Sequence, residues 1–393
     1  MHCVIGAQAR FVRNNGQPAS NVKNYERLWR RYLAVFDHVT VVGRVFEEED
    51  PCAKPVRGPD VSVIELPGFR GPLALLANYR QINRGIERAF SPDSAYILRL
   101  PSLVSDLLWR RLRKTGHPYG VEVAGDPYNT YAPEGNKHPF QPLLRWHFTR
   151  QVRLQCAGAC AVAYCSQAQR LRYPPAGDAF VTYYSQLVLS DDDLLAQPRQ
   201  FDSPSRLSLV SVGTLRRLYK GPDVLVDAVA QCVERGLDVS MTWLGDGPHR
   251  AEMQQRAQQR GVGDRVHFIG QVPAGKAVME HLDAADLFAF PSRAEGLPKA
   301  LVEAMARGLP CIGSTVGGIP ELLHEEDLVP AGDARALADK ICEVTRDPER
   351  MTRMSQRNLE KAREYRDERM DVRRNEMYQH VRERTQQWLS DRR

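Results

Sequence analysis

Two glutamates eight positions apart, Glu295 and Glu303, form the most informative pattern in the sequence. Residues 290–310 predict a strand that ends at Phe290, a Gly/Pro turn, and a helix that begins near Pro298 and closes at Gly308. Glu295 then lies at the positive end of the helix, and Glu303 about a turn and a half inside it. One carboxylate can reach a sugar hydroxyl and the other a ribose, while free N–H groups at the helix start can face a diphosphate.

A basic loop earlier in the same half offers a second element of this chemistry. Residues 213–222 follow an apolar run and carry Arg216, Arg217 and Lys220 next to the start of a helix. Fixed cations beside backbone N–H donors neutralise a phosphate group, although a basic loop can also be merely solvated. The turn at residues 244–248 contains Gly245, where a ligand or a neighbouring loop can approach the backbone closely.

Alternating strand and helix patterns position these loops and predict an α/β fold. In the second half, short apolar runs occupy residues 207–212, 239–244, 266–269, 287–290 and 311–314, and residues 222–235 have a well-delimited helical pattern. In the first half, predicted strands occupy residues 2–5, 39–42, 61–66, 95–100, 119–123, 159–164 and 180–184, with helices over 25–36, 73–89, 104–114 and 143–155. Such alternation gives parallel sheets, which bind ligands outside the carboxyl ends of their strands.

The length of 393 residues favours two domains. The acidic, proline-containing stretch 190–204 is the predicted linker, which gives an N-terminal domain over 1–195 and a C-terminal domain over 196–375. Residues 376–393 are predicted to form a terminal helix that packs back on the N-terminal domain. Predicted packing positions near the C-terminus are Met370, Met377, Tyr378, Val381 and Trp388.

Composition favours a folded cytosolic protein, with 42% hydrophobic and 26% charged residues. No apolar stretch is long enough to span a bilayer, the N-terminus does not resemble a signal peptide, and the eight scattered cysteines lack zinc-site spacing. Residues 1–195 contain 24 Lys and Arg against 18 Asp and Glu, so this half holds the whole net charge of +6.

Three basic segments with aromatic residues stand out in the first half, at residues 25–32, 108–114 and 144–150. Arginine beside tryptophan on an amphipathic helix suits an anionic membrane surface. The alternative is core aromatics with a solvated basic face. Nucleic acid is not an expected partner, because no recognised binding motif accompanies the charge.

The second half resembles glycosyltransferase family 4, whose members have the GT-B fold and a Glu-x7-Glu motif. The resemblance covers residues 206–342 and runs through Val212-Gly213, Lys220-Gly221, residues 243–248, 266–270, 285–292, 295–310 and 316–321. It implies two Rossmann-like domains whose parallel sheets face each other across an interdomain cleft. No metal or other cofactor is implied, because fixed cations take the place of a metal.

The resemblance also implies roles for individual residues. Lys220 would hold the donor diphosphate, and Arg216 or Arg217 would replace the family's arginine, which is Thr214 here. Glu295 would contact the transferred sugar and Glu303 the ribose. The full set of donor-binding residues is Gly16, Gly213, Lys220, Gly245, Ile269, Gln271, Val272, Glu295, Gly296, Leu297, Pro298 and Glu303.

The N-terminal half matches the family less closely. Gly16 lies in a loop after the first strand, where the family places a loop near the donor phosphates and the acceptor. Many members carry a histidine after a mid-domain strand, whereas the comparable run at residues 119–128 has none. Glu122 or Asp126 would contact the sugar or acceptor there, although an Asp-Pro turn explains Asp126 equally well.

The resemblance implies an enzyme that retains anomeric configuration and transfers a hexose-type sugar from a UDP- or GDP-sugar. The leading hypothesis has a lipid-linked or polysaccharide acceptor at the inner membrane face. A small soluble acceptor is the second hypothesis. The third is a catalytically inactive nucleotide-sugar-binding or scaffold subunit, suggested by Thr214 and the missing histidine.

Overall fold

The computed structural model describes residues 1–21, 23–26, 28–132, 140–185, 187, 189–202 and 206–392. Arg27 of the predicted helix 25–36, and Ser203 and Pro204 of the predicted linker, lie outside the described residues. The described chain forms two sheets, one in each half, in which most neighbouring strands run parallel. The fold is therefore α/β with two Rossmann-like units, as the sequence predicts.

The first half contains nine strands and six α-helices within the described residues. The strands are β1 (His2–Asn14), β2 (Gln17–Ser20), β3 (His38–Phe46), β4 (Lys54–Pro55), β5 (Val61–Pro67), β6 (Ala95–Leu100), β7 (Gly120–Val123), β8 (Ala161–Tyr164) and β9 (Phe180–Tyr183). The helices are α1 (Gly71–Ala77), α2 (Tyr79–Ala89), α3 (Leu103–Thr115), α4 (Pro127–Thr130), α5 (Gln141–Ala157) and α6 (Gln167–Arg172).

The parallel strands of the first sheet follow the order β5-β3-β1-β6-β7-β8-β9. Strand order reverses between β1 and β6, so the ends of these two strands form a topological switch point. Strands β2 and β4 extend the sheet in the antiparallel sense. The two-residue turn between β1 and β2 has positive φ at Asn15 and Gly16, as a type I′ hairpin requires.

The second half contains six strands and seven α-helices among the residues described. The strands are β10 (Leu207–Val212), β11 (Val239–Leu244), β12 (Val266–Gly270), β13 (Leu287–Phe290), β14 (Cys311–Ser314) and β15 (Leu328–Val329). The helices are α7 (Pro222–Glu234), α8 (Arg250–Gln259), α9 (Lys276–Asp283), α10 (Lys299–Ala306), α11 (Ala334–Thr345), α12 (Pro348–Arg363) and α13 (Asp367–Ser390).

The second sheet is wholly parallel in the order β12-β11-β10-β13-β14-β15. This is the doubly wound arrangement of dinucleotide-binding folds, and its switch point lies between β10 and β13. The loops after these two strands carry Lys220 and Glu295 respectively. Two loops that are 75 residues apart in the chain, measured between these residues, therefore meet at one edge of the sheet.

The last helix returns to the first sheet. Helix α13 begins at Asp367 and packs Met370, Met377, Tyr378 and Val381 into the core on one face of that sheet. Helices α2, α3 and α5 cover the opposite face. The first sheet is therefore covered on both faces, and part of that cover comes from the far end of the chain.

Candidate active site

The two switch-point loops touch through their backbones. After β10, a 3-10 turn over Leu218–Lys220 ends at Gly221, whose φ of 73° is left-handed. A Cβ at Gly221 would lie 2.1 Å from the carbonyl oxygen of Pro291, just after β13. Only glycine fits there, because a side chain would push the two loops apart. The sequence thus brings Lys220 against the loop that carries Glu295.

An arginine that the sequence analysis did not single out holds the two loops together. The guanidinium of Arg293 forms a bidentate ion pair with Asp223 at 2.8 and 2.7 Å, and it donates to the carbonyl of Leu218 at 2.9 Å. The backbone N–H of Arg293 donates to the carbonyl of Tyr219 at 2.6 Å. Bidentate pairing fixes geometry as well as charge, so Arg293 positions the turn that ends at Lys220.

Lys220 and Glu295 form an ion pair at the centre of the site. Lys220 Nζ lies 2.5 Å from Glu295 Oε1, and the hydroxyl of Ser292 donates to the same oxygen at 2.7 Å. The side chains of Lys220 and Glu295 are only 16% and 7% exposed. In this shielded position the charge-assisted hydrogen bonds are stronger than they would be in water.

The backbone around Glu295 is fixed from two further directions. A Cβ at Gly317, which has φ of 56°, would lie 2.1 Å from the carbonyl oxygen of Glu295, so the loop after β14 packs directly on it. The side-chain amide of Asn129, in the first half, donates to that same carbonyl at 3.4 Å. Glu295 therefore occupies a defined position where the two halves meet.

Glu303 is half-buried on helix α10, which runs from Lys299 to Ala306. Burial raises the pKa of the Glu303 carboxyl to about 7; Lys299 opposes the rise and Asp193 adds to it. The Glu303 carboxyl forms no hydrogen bond with any residue that the structure describes. A shielded carboxylate of this kind is suited to accept bonds from the hydroxyls of a ligand.

A cavity of about 560 Å³ lies between the two halves beside the Lys220–Glu295 pair. Its lining includes Gly125, Asp126, Asn129 and Thr130 from the first half and Thr214, Arg216, Arg217, Glu295, Gly296, Leu297 and Lys299 from the second. Arg216 and Arg217 both line the cavity with exposed side chains. Either guanidinium can therefore face a phosphate in the cleft.

The other predicted donor residues occupy different positions. A Cβ at Gly245 would lie 2.1 Å from the carbonyl oxygen of Gly213, so two neighbouring strand ends pack closely there. Pro298 is the N-cap of α10. Three predicted donor-binding residues end or follow β12: Ile269 and Gln271 are exposed and Val272 is half-buried. Gly16 lies in the β1–β2 turn and does not line the cavity.

Glu122 is not placed to contact a sugar or an acceptor, contrary to the sequence-based expectation. It is 3% exposed within β7 and pairs with Arg99. Its oxygens also accept hydrogen bonds from the hydroxyls of Tyr32, Tyr184 and Tyr378 at 2.9, 2.7 and 2.8 Å. With four buried donors around it, the carboxylate has no acceptor capacity left for a ligand.

Asp126 lines the cavity, but its own oxygens are occupied. It caps α4 by accepting from the backbone N–H of Tyr128 at 3.1 Å and from the side chain of Asn129 at 2.9 Å. It also accepts from Tyr173 at 2.5 Å and pairs with Arg172. Asp126 therefore fixes the one-turn helix that presents Asn129 to the cleft. This structural role is the one that an Asp-Pro turn predicts, and it agrees with the alternative given for Asp126 from the sequence.

The residues missed by sequence reasoning differ in how visible they are in the sequence. Ser292 and Arg293 lie within the strand–turn segment already singled out, and their closeness to Glu295 is a signal that could have found them. Asn129 has no such signal, because its contact with Glu295 joins opposite halves of the chain.

Among the described residues, no group of three or more His, Cys, Asp or Glu side chains could hold a metal ion. No helix in the described part of the chain has the length and apolar character needed to cross a bilayer.

The sequence is similar to a family model and to known proteins. The family model described as glycosyl transferases group 1 matches residues 206–347. Protein CapJ of Staphylococcus aureus is 22% identical over 316 residues, which cover 80% of this chain and 79% of CapJ. The putative colanic acid biosynthesis glycosyltransferase WcaL of Escherichia coli is 36% identical over 154 residues, which cover 37% of each chain. That second match thus spans little more than a third of WcaL.

A solved structure matches the whole chain. HepE of Anabaena, in complex with UDP and glucose, superposes with a TM-score of 0.60 at 16% identity and with 99% of each chain covered. At this identity the likeness establishes the fold, which is of the GT-B type. The switch-point site falls inside the segment that the family model matches. Residues 206–347 therefore match the glycosyl transferases group 1 family, and the chain is a glycosyltransferase with the GT-B fold.

Proposed function

We propose that the protein transfers a hexose-type sugar from a UDP- or GDP-sugar to a hydroxyl of a lipid-linked or polysaccharide acceptor, with retention of anomeric configuration. The observation that carries this proposal is the Lys220–Glu295 pair at the switch point, beside a cleft lined by Arg216 and Arg217. Cations and helix N-termini at a switch point suit a diphosphate. A fixed carboxylate next to them suits a sugar hydroxyl.

In the proposed complex the donor diphosphate draws Lys220 away from Glu295 and accepts hydrogen bonds from its ammonium group. Glu295 then accepts a hydrogen bond from the sugar, held in place by Ser292 and by the loop packed on its backbone. Glu303 accepts from the ribose hydroxyls. The base is proposed to lie against the segment after β12, near Ile269 and Val272.

The proposed reaction breaks the bond between the anomeric carbon and the phosphate oxygen. The acceptor oxygen bonds to the same face of that carbon, and the acceptor's proton passes to the leaving diphosphate. Lys220, one of the two arginines and the start of α10 stabilise the negative charge that develops on the diphosphate. Preorganised charge of this kind lowers the barrier without any protein nucleophile.

The comparisons support parts of this proposal. UDP and glucose occupy HepE, which shares the fold, and WcaL is described as acting in colanic acid biosynthesis. From these two proteins we infer that this protein uses a nucleotide-sugar donor and a saccharide acceptor. The proposal also places the enzyme in the cytoplasm at the inner membrane face, in line with the excess of basic residues in the first half.

Titration calorimetry with UDP-glucose, UDP-N-acetylglucosamine, UDP-galactose and GDP-mannose tests the donor site. Selective binding of one of them, weakened in Lys220→Ala, is the expected result and identifies the sugar. Transfer to an acceptor is then followed by NMR of the product, whose anomeric configuration should match that of the donor. No binding of any of the four donors by the wild-type protein would count against the proposal.

A further inference from the structure

The three basic segments with aromatic residues have different exposures in the folded protein. Trp29 is fully buried and Trp109 is 5% exposed, so both tryptophans are part of the core. Trp146 is 61% exposed. The core-aromatic alternative therefore accounts for the first two segments but not for the third, which lies on helix α5.

Helix α5 is amphipathic in an unusual sense, because its outward side is both apolar and basic. Val152 and Cys156 pack into the core against the first sheet. On the outward side Leu143 is 58% exposed and Phe140, just before the helix, is 64% exposed. The guanidinium of Arg150 lies 6.0 Å from the centre of the Trp146 ring. Exposed apolar groups of this size are uncommon on a surface that faces only water.

The charged residues along α5 and α6 are all basic. Residues 140–177 contain five arginines and no aspartate or glutamate. Arg153 donates through its guanidinium to the carbonyl of Arg172 at 3.3 and 3.2 Å, which holds the end of α6 beside α5. Leu171, between Arg170 and Arg172, is 85% exposed there. We call the group formed by Phe140, Leu143, Trp146, Arg150, Arg153 and Leu171 the α5 surface.

We propose that the α5 surface docks the enzyme on an anionic lipid bilayer, with α5 lying in the plane of the interface. Tryptophan is favoured at the boundary between headgroups and acyl chains, where Leu143 and Phe140 also gain by leaving water. Arginines extend their charged ends to anionic headgroups while their stems remain against apolar groups. This inference rests on the proposed function, which places the enzyme at the inner membrane face, and it names the surface that contacts the bilayer. Binding to a bilayer needs neither donor nor acceptor, so it can be tested separately from sugar transfer.

The α5 surface lies close to the cleft, so docking there would bring an acceptor in the bilayer near the donor cavity. A groove of about 680 Å³ separates α5 from α4 and is lined by Tyr128, Tyr131, Arg145 and Trp146, among other residues. Asn129, on the same single turn of helix, lines the donor cavity instead. Only the width of one helix, about 10 Å, therefore separates the groove from the cleft. An acceptor held at the bilayer surface can reach the donor cavity over that distance.

A dimer interface at α5 and a bilayer contact at α1 both fit the exposed apolar groups less well. In a two-fold symmetric dimer the same patch meets itself, so the arginines of the α5 surface would face their own copies. Leu73 and Leu76 on α1 are also exposed, at 81% and 69%, but that helix has seven residues and no charged side chain. Charge complementarity thus favours a bilayer at α5.

Co-sedimentation with vesicles tests the proposal in the absence of any donor. The wild-type chain should bind vesicles that contain phosphatidylglycerol and should not bind vesicles of phosphatidylcholine alone. Arg150→Glu and the double variant Leu143→Ser/Trp146→Ser should each weaken binding about tenfold or more. Both changes lie on exposed positions, and far-ultraviolet circular dichroism with thermal unfolding checks that the variants are folded.

The matched control is Arg369→Glu/Val372→Ser on α13, which covers the opposite face of the first sheet. Arg369 is exposed and Val372 is 58% exposed, so this variant makes similar changes far from α5 and should bind vesicles like the wild type. Equal loss in the control and the α5 variants would overturn the proposal. The proposal would also be overturned if the wild type formed a dimer in sedimentation equilibrium that Leu143→Ser/Trp146→Ser dissociates.

Calorimetry with nucleotide sugars is a separate readout. The α5 variants should bind donor normally, and a failure of donor binding in the wild type would reject the proposed function alone.

Discussion

Lys220 Nζ lies 2.5 Å from Glu295 Oε1 across the two loops that meet at the switch point of the second sheet. The cation proposed for the diphosphate and the carboxylate proposed for the sugar therefore neutralise each other. Both side chains are shielded, and separating them without a ligand would leave two poorly solvated charges. A donor that brings a diphosphate and a hydroxyl satisfies both at once.

We predict that Lys220→Ala weakens donor binding by about 1.5 to 3 kcal/mol, the range for a hydrogen bond to a charged group. The expected cause is the loss of a positioned ammonium group from the diphosphate. The same variant should unfold at a lower temperature, because the bond from Ser292 is then the only hydrogen bond from a described residue that the Glu295 carboxylate keeps. Titration calorimetry and thermal unfolding measure the two effects separately.

The control for this prediction is Lys276→Ala, since the Lys276 side chain is 92% exposed on α9. It removes the same charge from the same half and should leave donor affinity unchanged. The double variant Lys220→Ala/Glu295→Gln should recover most of the lost thermal stability without recovering affinity. Equal affinities for the wild type and Lys220→Ala would contradict the proposed role.

We expect donor affinity to depend on pH through Glu303. Its carboxyl has a pKa of about 7 because it is buried, so it changes charge in the neutral range. The ionised form accepts stronger hydrogen bonds from ribose hydroxyls, and the dissociation constant should therefore fall as the pH rises from 6 to 8. Calorimetry at several pH values should show this trend in the wild type, whereas Glu303→Gln should give a flat profile.

Glu303 should also make the free energy of unfolding depend on pH. Stability should fall as the pH rises, whereas donor affinity should increase. The folded pKa lies above the ordinary glutamate value of 4.5, so the folded state holds the proton more tightly than the unfolded state does. The contribution of Glu303 to stability should therefore fall as the pH rises from about 4.5 to about 7 and then level off, by no more than about 3 kcal/mol. Urea unfolding of wild type and Glu303→Gln at pH 5 and pH 8 measures it, and identical pH slopes for the two proteins would be evidence against this account.

The sequence predicts the loops of the candidate site well because strands and helices alternate regularly in the second half. Such alternation places loops at the carboxyl edge of a parallel sheet whatever the strand order. Strand order itself is not encoded locally, so the contact between Gly221 and Pro291 that joins the two loops could not be anticipated. The Lys220–Glu295 ion pair follows from that contact and is equally invisible in the sequence.

The first half is harder to predict because its contacts are set by distant parts of the chain. The resemblance suggests a sugar or acceptor contact for Glu122, because it lies in the run comparable to the one that carries a histidine in many family members. In the structure it is neutralised by Arg99, on the neighbouring strand, and bonded by Tyr378, which is 256 residues away. The predicted helix over 73–89 is two helices that end and begin around Asn78.

The network around Glu122 predicts a stability effect without a binding effect. Burial by itself would raise the pKa of Glu122, but Arg99 and three tyrosine hydroxyls lower it overall and keep the carboxylate charged. Tyr378→Phe removes one of these donors and should reduce the free energy of unfolding by about 1 to 3 kcal/mol. Glu122→Ala leaves the buried guanidinium of Arg99 without its carboxylate and should reduce the free energy of unfolding by about 3 to 5 kcal/mol. Urea unfolding measures both, and donor affinity should not change in Tyr378→Phe.

Tyr79→Phe is the matched control for Tyr378→Phe, because Tyr79 is 45% exposed and its hydroxyl forms no hydrogen bond with a described residue. It removes the same atom and should leave stability within about 0.5 kcal/mol of the wild type. A similar loss in both phenylalanine variants would mean that the network around Glu122 contributes nothing specific.

The two halves are held together beside the cleft by Glu321, and we predict that Glu321→Ala loosens this contact. Its two carboxylate oxygens accept hydrogen bonds from the backbone N–H groups of Gln167 and Ala168 at 2.8 and 3.0 Å, at the start of α6. Removing them leaves that helix end without its carboxylate partner. Small-angle scattering should show a larger radius of gyration, and transfer should slow because the cleft closes less often over the donor. Glu325 is an exposed neighbour whose side chain forms no hydrogen bond with a described residue, so Glu325→Ala should change neither quantity. Unchanged scattering and unchanged rate in Glu321→Ala would show that other contacts hold the halves in place.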